Sequence, residues 1–491
     1  MSQRLTFRTI EAMYEEMRKE NYLYTTSFET IARHFLDKLL DIEVFQSDFT
    51  EIKNSFKTEF PEEDLPEKEE EFYNKICSFY LRLKIEPSKK LFQYYQEASG
   101  HLKEIEETIA EFKAEINQID KIKRNLTNKE AYRKYLLQYY IELNEEARGE
   151  ITNFLSHGIR AHALREAQEN LGFQSAILNQ PYKYYNLSSL YQSGKVSELK
   201  NKFLDMPVLE HQELRYCYHH DKDEFVVKMQ SYIKDYYIIE RLERLIAGHH
   251  QLNKREEILK QLLEAYSQDK FLLFSNAVPL QIEGIFNDYC LELGIKPDEL
   301  NTAALHKKLD IISDKDKNFT HYEYYKFAFP VLRNKVAHGN LYSGDSELTA
   351  GMLLLDLSHI CRVITQTESI KINRALRYLK EYMQRPDKNN LLLAVLNLYK
   401  VEIPDFYELD EELADLKDKF LDEEIWAYLD QLIEQGNEVV NRGLARILII
   451  LKEDGIEAER CGSYLSKIGN DKSDQLDVER FERELKYMRF D

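Results

Sequence analysis

The chain has 491 residues, enough for two to four domains, with 43% hydrophobic and 31% charged side chains, the proportions of a soluble globular protein. A formal net charge of -20 argues against a protein that coats nucleic acid indiscriminately, though it leaves room for a small local basic site. Glycine (16) and proline (10) are both scarce, which favours helices over a sheet protein built on many tight turns, and the expected class is all-α.

No apolar run reaches 18 residues, so no membrane span is expected. The first residues, MSQRLTFRTIEAMYEEM, alternate charges and lack an apolar secretory core. Cys77, Cys217, Cys290, Cys361 and Cys461 are scattered, without CxxC or Cys/His ligand spacing. They read as reduced thiols of a cytoplasmic protein, with no disulfide, no metal and no cofactor expected.

Residues 1–91 form an N-terminal helical region. Phe28, Ile31, Ala32, Phe35, Leu36, Leu39 and Leu40 keep a helical period, and the acidic TEFPEEDLPEKEEE after them reads as a loop and a solvated helix start. From 92 to 155 the spacing approaches a heptad seam. It runs Leu102, Ile105, Ile109, Phe112, Ile116, Ile119, Ile122, Leu126 and predicts an antiparallel coiled-coil hairpin. Thr127 and Glu130 supply a capping box for the returning helix, through Tyr132, Leu136, Tyr139, Tyr140, Leu143, Ala147, Ile151 and Phe154. The hairpin reads equally as an arm for a partner or a dimer and as two long helices of a larger bundle. Residues 156–222, rich in Tyr and His, read as a helical linker region whose aromatics are bundle core and rim.

Residues 223–370 read as one helical domain. A helix from Phe225 to Ile246 is followed by Ile258–Tyr266, then by Val278–Leu293, then by a weaker helix at Leu305–Ile312. A fifth runs from His321 to His338, kinked or restarted at Pro330, and a strongly apolar sixth is capped by Asp345 or Ser346. The fifth ends in Val331-Leu-Arg-Asn-Lys-Val-Ala-His-Gly339. Asn334 and His338 are four apart and share a helix face, and the long side chain of Arg333 can bend onto the same patch. A cation, an amide and an imidazole on one spot are the parts needed to hold a phosphodiester and move a proton near neutral pH. From Leu300 to Asn340 seven basic residues, Lys335 among them, outnumber four acidic ones within this acidic chain.

RNKVAHG resembles the motif of the HEPN superfamily (higher eukaryote and prokaryote nucleotide-binding). Its ribonuclease members carry an Arg, a following polar residue and a His four to six positions beyond the Arg. The Glu283-Gly284 pair in QIEG, some fifty positions earlier, and the aromatic run HYEYYKFAFP leading into the motif extend the likeness over roughly 223–370. The resemblance implies a HEPN-like helical bundle and a metal-independent endoribonuclease of the antiphage-defence or toxin type, acting as a homodimer with one composite cleft. Arg333 and His338 would be catalytic, with Asn334 orienting His338 or bonding a phosphate oxygen. Glu283 would fix Arg333 or tune His338, Lys335 would be a supporting cation, and Gly284 would let helices approach closely. RNA, such as tRNA or mRNA, would be the substrate, and the helical flanks could take a regulatory protein partner.

Two other Arg-to-His pairs have similar spacing: Arg215 to His220 and Arg244 to His249. Neither has a polar residue after the Arg or a glycine after the His, and both read as ordinary helix-surface residues. The chain has no GxGxxG, P-loop, HExxH or GxSxG pattern. Residues 371–491 are again helical, and the acidic stretch 405–424 reads as a solvated face. Two other readings remain beside the nuclease: a non-catalytic helical module that binds a nucleotide or a protein, and a purely structural bundle in which RNKVAHG is a helix end.

Overall fold

The computed structural model describes residues 7–122, 125–168, 180–182, 196–301, 303–337, 345–398, 401–435, 438–468 and 478–487. Every regular element among the described residues is helical, so the protein is all-α. It comprises two compact units, Met1–Lys195 and Val196–Asp491.

In the first unit, Ser27 caps the helix Phe28–Asp37 by accepting from the amide of Thr30. Its buried Ile31, Ala32, Phe35 and Leu36 join Phe72, Tyr73 and Ile76 of the helix Glu69–Tyr80 in one core. That second helix opens on three glutamates, which complement the positive end of its dipole. The hairpin consists of the helices Pro87–Asp120 and Asn128–Asn153. The capping box forms: the Thr127 amide donates to Glu130 Oε2 at 2.8 Å, and the Glu130 amide donates to Thr127 Oγ1 at 3.3 Å. Ion pairs recede from the turn along both helices, with Lys134–Asp120 at 2.5 Å, Arg133–Glu115 at 2.7 Å and Lys113–Glu145 at 3.8 Å, as antiparallel packing requires. Ile105, Ile109, Phe112 and Ile119 are buried in the seam, facing Leu136, Leu137, Tyr140, Ala147 and Ile151. Leu126, expected in the seam, is exposed because the first helix already ends at Asp120.

The linker expected over 156–222 divides between the two units. Residues Ile159–Gln168 form a helix along Pro87–Asp120, and its Leu164 and Ala167 complete the N-terminal core. Leu199, Phe203, Leu214 and Cys217 instead belong to the core that runs to Ile370, so this core begins well before residue 223.

At the centre of that second core lie two long helices packed along each other, Phe271–Glu292 and Ser346–Gln366. The first starts about two turns before the expected Val278 and contains Pro279. Gly294, at φ +82°, ends it: the amide of Ile295 reaches back to Cys290 O at 3.1 Å, the closure a left-handed glycine permits. The second helix is capped by Asp345, which accepts from Leu348 N at 3.0 Å. It is long and apolar enough to cross a bilayer by composition, yet 67% of its most apolar window is buried in this core. At Gly351 an added Cβ would stand 2.2 Å from Met229 Cε, so the glycine makes room for the Met229 side chain of the helix Lys222–Asp235. The motif helix has a wide π turn at Tyr324–Ala328 and continues as α-helix over Phe329–Ala337. The wide turn accommodates Pro330, which lacks an N–H and whose ring would crowd the carbonyl one regular turn back.

A third core, from Tyr378 to Leu485, lies within the same unit and is centred on the fully buried Trp426, whose Nε1 donates to Phe420 O at 2.8 Å. It is tied to the second core by polar bonds: His249 Nε2 to Asn373 Oδ1 at 3.2 Å, and His250 Nδ1 to Tyr407 Oη at 3.0 Å. All five cysteines are buried and free.

Candidate functional site

Arg333 stands on the last described turns of the motif helix, with 27% of its side chain exposed. Its Nε donates to Glu283 Oε2 at 2.5 Å, and its Nη1 donates to Asn334 Oδ1 at 3.1 Å. Among the described residues Nη2 has no hydrogen-bond partner. The guanidinium is thus held at Nε and at Nη1, and among the described residues Nη2 is left to meet another group. The pair is part-buried, and its effect on the site is to fix the direction in which the cation points. Of the expected site, Arg333, Asn334 and Glu283 come together. The side chain of Lys335, and His338 and Gly339 entirely, lie outside the described residues.

Glu283 belongs to the helix Phe271–Glu292, one position before Gly284. The expectation that Gly284 lets two helices touch is corrected. A Cβ there would meet Arg255 Nη1 at 2.6 Å, so the glycine makes room for a guanidinium lying against the helix. Arg255 is held there by Asp288, with Nε to Oδ2 at 2.6 Å and Nη2 to Oδ1 at 3.1 Å, and by Gln281 Oε1 at 3.3 Å from Nη1. One helix therefore holds two arginines on adjacent turns, Arg333 through Glu283 and Arg255 through Asp288.

Behind the motif helix lies a buried polar network that the sequence does not announce. Lys202 and Asp356 are 0% and 1% exposed and pair at 2.6 Å. Asp356 also accepts from Asn201 Nδ2 at 2.7 Å and from the Tyr324 hydroxyl at 2.7 Å, and the Lys202 ammonium lies 4.0 Å from the Tyr324 ring centre. Tyr325 Oη meets His359 Nδ1 at 2.8 Å. Both tyrosines sit in the π turn, so the network grips the motif helix about two turns before Arg333. Burial pushes the Lys202 ammonium down, opposed by Asp356. Burial also lowers His359 to about 3, helped by His321, Lys202 and Arg362, and His321 to about 4, helped by Lys200 and Lys202. Both imidazoles are neutral at pH 7; His359 braces the network through Tyr325, while His321 packs edge-on against the His359 ring with centres 5.1 Å apart. The one signal in the sequence is LLLDLSHI: an acid at position 356 inside an apolar run, destined for burial, must find a cation.

The two chance pairs behave as surface or structural residues. His220 stacks on Tyr216 with ring centres 4.3 Å apart, and its Nδ1 meets Tyr216 O at 2.9 Å. Arg244 Nε turns back to Glu240 O at 3.3 Å, while His249 is buried against Asn373 and lowered to about 4, chiefly by burial.

No protein-family model, curated protein or solved structure matches this chain.

Proposed function

We propose that the protein is a metal-independent endoribonuclease with a HEPN-like helical domain, working in bacterial antiphage defence or a toxin system. The observation that carries this reading is the Arg333 guanidinium, anchored by Glu283 at Nε and without a hydrogen-bond partner on Nη2 among the described residues, on the helix that leads into His338. In the proposed reaction a ribose 2′-hydroxyl attacks the adjacent phosphorus as the P–O5′ bond breaks. The products are a 2′,3′-cyclic phosphate and a 5′-hydroxyl. His338 takes the 2′-proton or delivers one to the leaving 5′-oxygen. Arg333 meets the charge that grows on the phosphoryl oxygens, an interaction stronger in the transition state than in the ground state. Asn334, bonded to Arg333, orients His338 or a phosphate oxygen, and Lys335 adds positive charge.

The working unit under this proposal is a homodimer through the 223–370 region, two copies of the motif facing one cleft. The Glu283 helix supports it: Leu273 and Leu280, one heptad apart, are 59% and 42% exposed on the turns leading to Glu283. A non-catalytic module binding a nucleotide or a protein is the alternative, favoured by the acidic balance and the helical hairpin; it needs the cation but not the imidazole. Incubation of total RNA or tRNA with the protein and with Arg333→Ala and His338→Ala separates the readings. Loss of cleavage in both variants at unchanged Tm, with Arg215→Ala and Arg244→Ala fully active, is expected. Absence of cleavage by the wild type, or cleavage unaffected in the His338 variant, would reject the nuclease.

A further inference from the structure

We infer that the C-terminal core holds a binding site for a small uncharged amphipathic molecule, an aliphatic body with one amide or hydroxyl head. A cavity of about 330 Å³ opens among the helices Lys388–Leu398, Asp410–Asp418 and Glu438–Glu453. Nine of its eleven lining residues are aliphatic, with the buried Leu416 and Leu451 among them and with Val401 and Ile403 contributed by the segment before Tyr407. At roughly 30 Å³ per non-hydrogen atom, the share water takes in the liquid, the space holds about eleven such atoms, and it reaches the lower range of small-molecule sites.

The head group is set by the two charged residues of the lining, Lys417 and Asp454, which pair with each other at 3.1 Å. Together they are neutral. A carboxylate head would face Asp454, and an ammonium head would face Lys417. A neutral amide or alcohol accepts from the ammonium and donates to the carboxylate, leaving the pair intact. The segment carrying Val401 and Ile403 continues into Tyr407, whose hydroxyl meets His250, and His250 Nε2 meets Glu292 Oε1 at 3.0 Å. Glu292 ends the helix that carries Glu283, so an occupant here would stiffen a segment bonded to that helix. The binding claim itself does not rest on the nuclease reading, because its readout is ligand affinity.

The test uses the full chain with octanamide, octanoate and octylamine, read by thermal shift and by isothermal calorimetry. A saturable rise in Tm is expected with octanamide, and one weaker by about threefold to tenfold in apparent Kd is expected with either charged analogue, the range of one lost hydrogen bond. Val401→Trp, which fills the cavity from a loop, should abolish the octanamide response; Leu398→Trp serves in its place where that variant does not fold. Lys417→Met with Asp454→Leu should weaken octanamide while leaving the unliganded Tm nearly unchanged. No saturable response to octanamide, or an undiminished response in the filled variant, overturns the site. Equal affinity for octanoate or octylamine overturns the neutral-head assignment.

Discussion

Glu283 and Arg333 are 50 residues apart in the chain and meet at 2.5 Å, the carboxylate on a central helix and the guanidinium on the motif helix packed against it. If Arg333 acts on a phosphoryl group, Glu283 is what aims it. Glu283→Gln should keep the fold, since the pair is partly exposed, and lower kcat on RNA by roughly 10- to 100-fold, the range seen when an orienting partner of a functional group is removed. Arg333→Lys, a point charge with no Nε for Glu283 to hold and no planar set of donors, should fail to restore activity. A Glu283→Gln enzyme with wild-type kcat would show that the pair has no part in the chemistry.

The Lys202–Asp356 pair yields a stability test. Removing one partner leaves a buried charge, so Lys202→Met and Asp356→Asn should each cost about 3–5 kcal/mol by chemical denaturation. Lys202→Met combined with Asp356→Asn removes both charges, keeps an acceptor for Asn201 and Tyr324, and should cost less than the two single losses added together. Additive losses in the double variant would contradict the pairing.

At Gly284 the packing partner is a side chain, not a helix. Gly284→Ala should displace the Arg255 guanidinium and cost about 1 kcal/mol, much less than a helix–helix clash. Arg255→Ala should cost a similar amount. The two changes together should cost little more than either, because the first already breaks the Asp288 contact. Full additivity would mean that Arg255 does not lie over Gly284.

Buried neutral histidines give the pH dependence. His359 and His249 are lowered in the folded protein, to about 3 and about 4, from an unfolded value of 6.5. A lowered imidazole binds its proton more readily in the unfolded chain, so stability is full above about 6.5 and falls as pH drops toward the folded values. At pH 5 each histidine costs about 2 kcal/mol. Denaturation midpoints measured from pH 7.5 to 5 should fall, and His249→Gln should flatten part of the slope. A flat profile over that window would contradict the buried, neutral assignment.

Exposed leucines on the Glu283 helix test the assembly. Leu273→Glu with Leu280→Glu changes only solvent-facing positions and should leave the monomer folded. Light scattering should report loss of the dimer and RNA assays loss of cleavage. A wild-type chain that is monomeric at micromolar concentration and still active would reject the composite cleft.

The helical class is legible in the sequence because apolar residues keep a 3.6-residue period and because Thr127/Glu130 and Asp345 are local signals that need no tertiary information. The start of the Glu283 helix is not legible, because FLLFSNAVP carries Pro279, a breaker by local rules that tertiary packing overrides. Spacing points to Arg333 and Asn334, and the resemblance to the Glu-Gly pair points to Glu283. Spacing does not point to Arg255, Asn201, Lys202 or His359, and for a shared reason: each meets its partner from a distant segment, and a single chain shows no such pairing. Gly284 stands out in the sequence, but only the structure says whether its missing Cβ serves a backbone or a guanidinium.

The central claim is a transesterification without metal, and the product ends report it directly. RNA incubated with the protein in excess EDTA should yield fragments with 2′,3′-cyclic phosphates and 5′-hydroxyls, absent with Arg333→Ala and His338→Ala. Fragments with 5′-phosphates and 3′-hydroxyls, or no fragments until a divalent metal is restored, would contradict it.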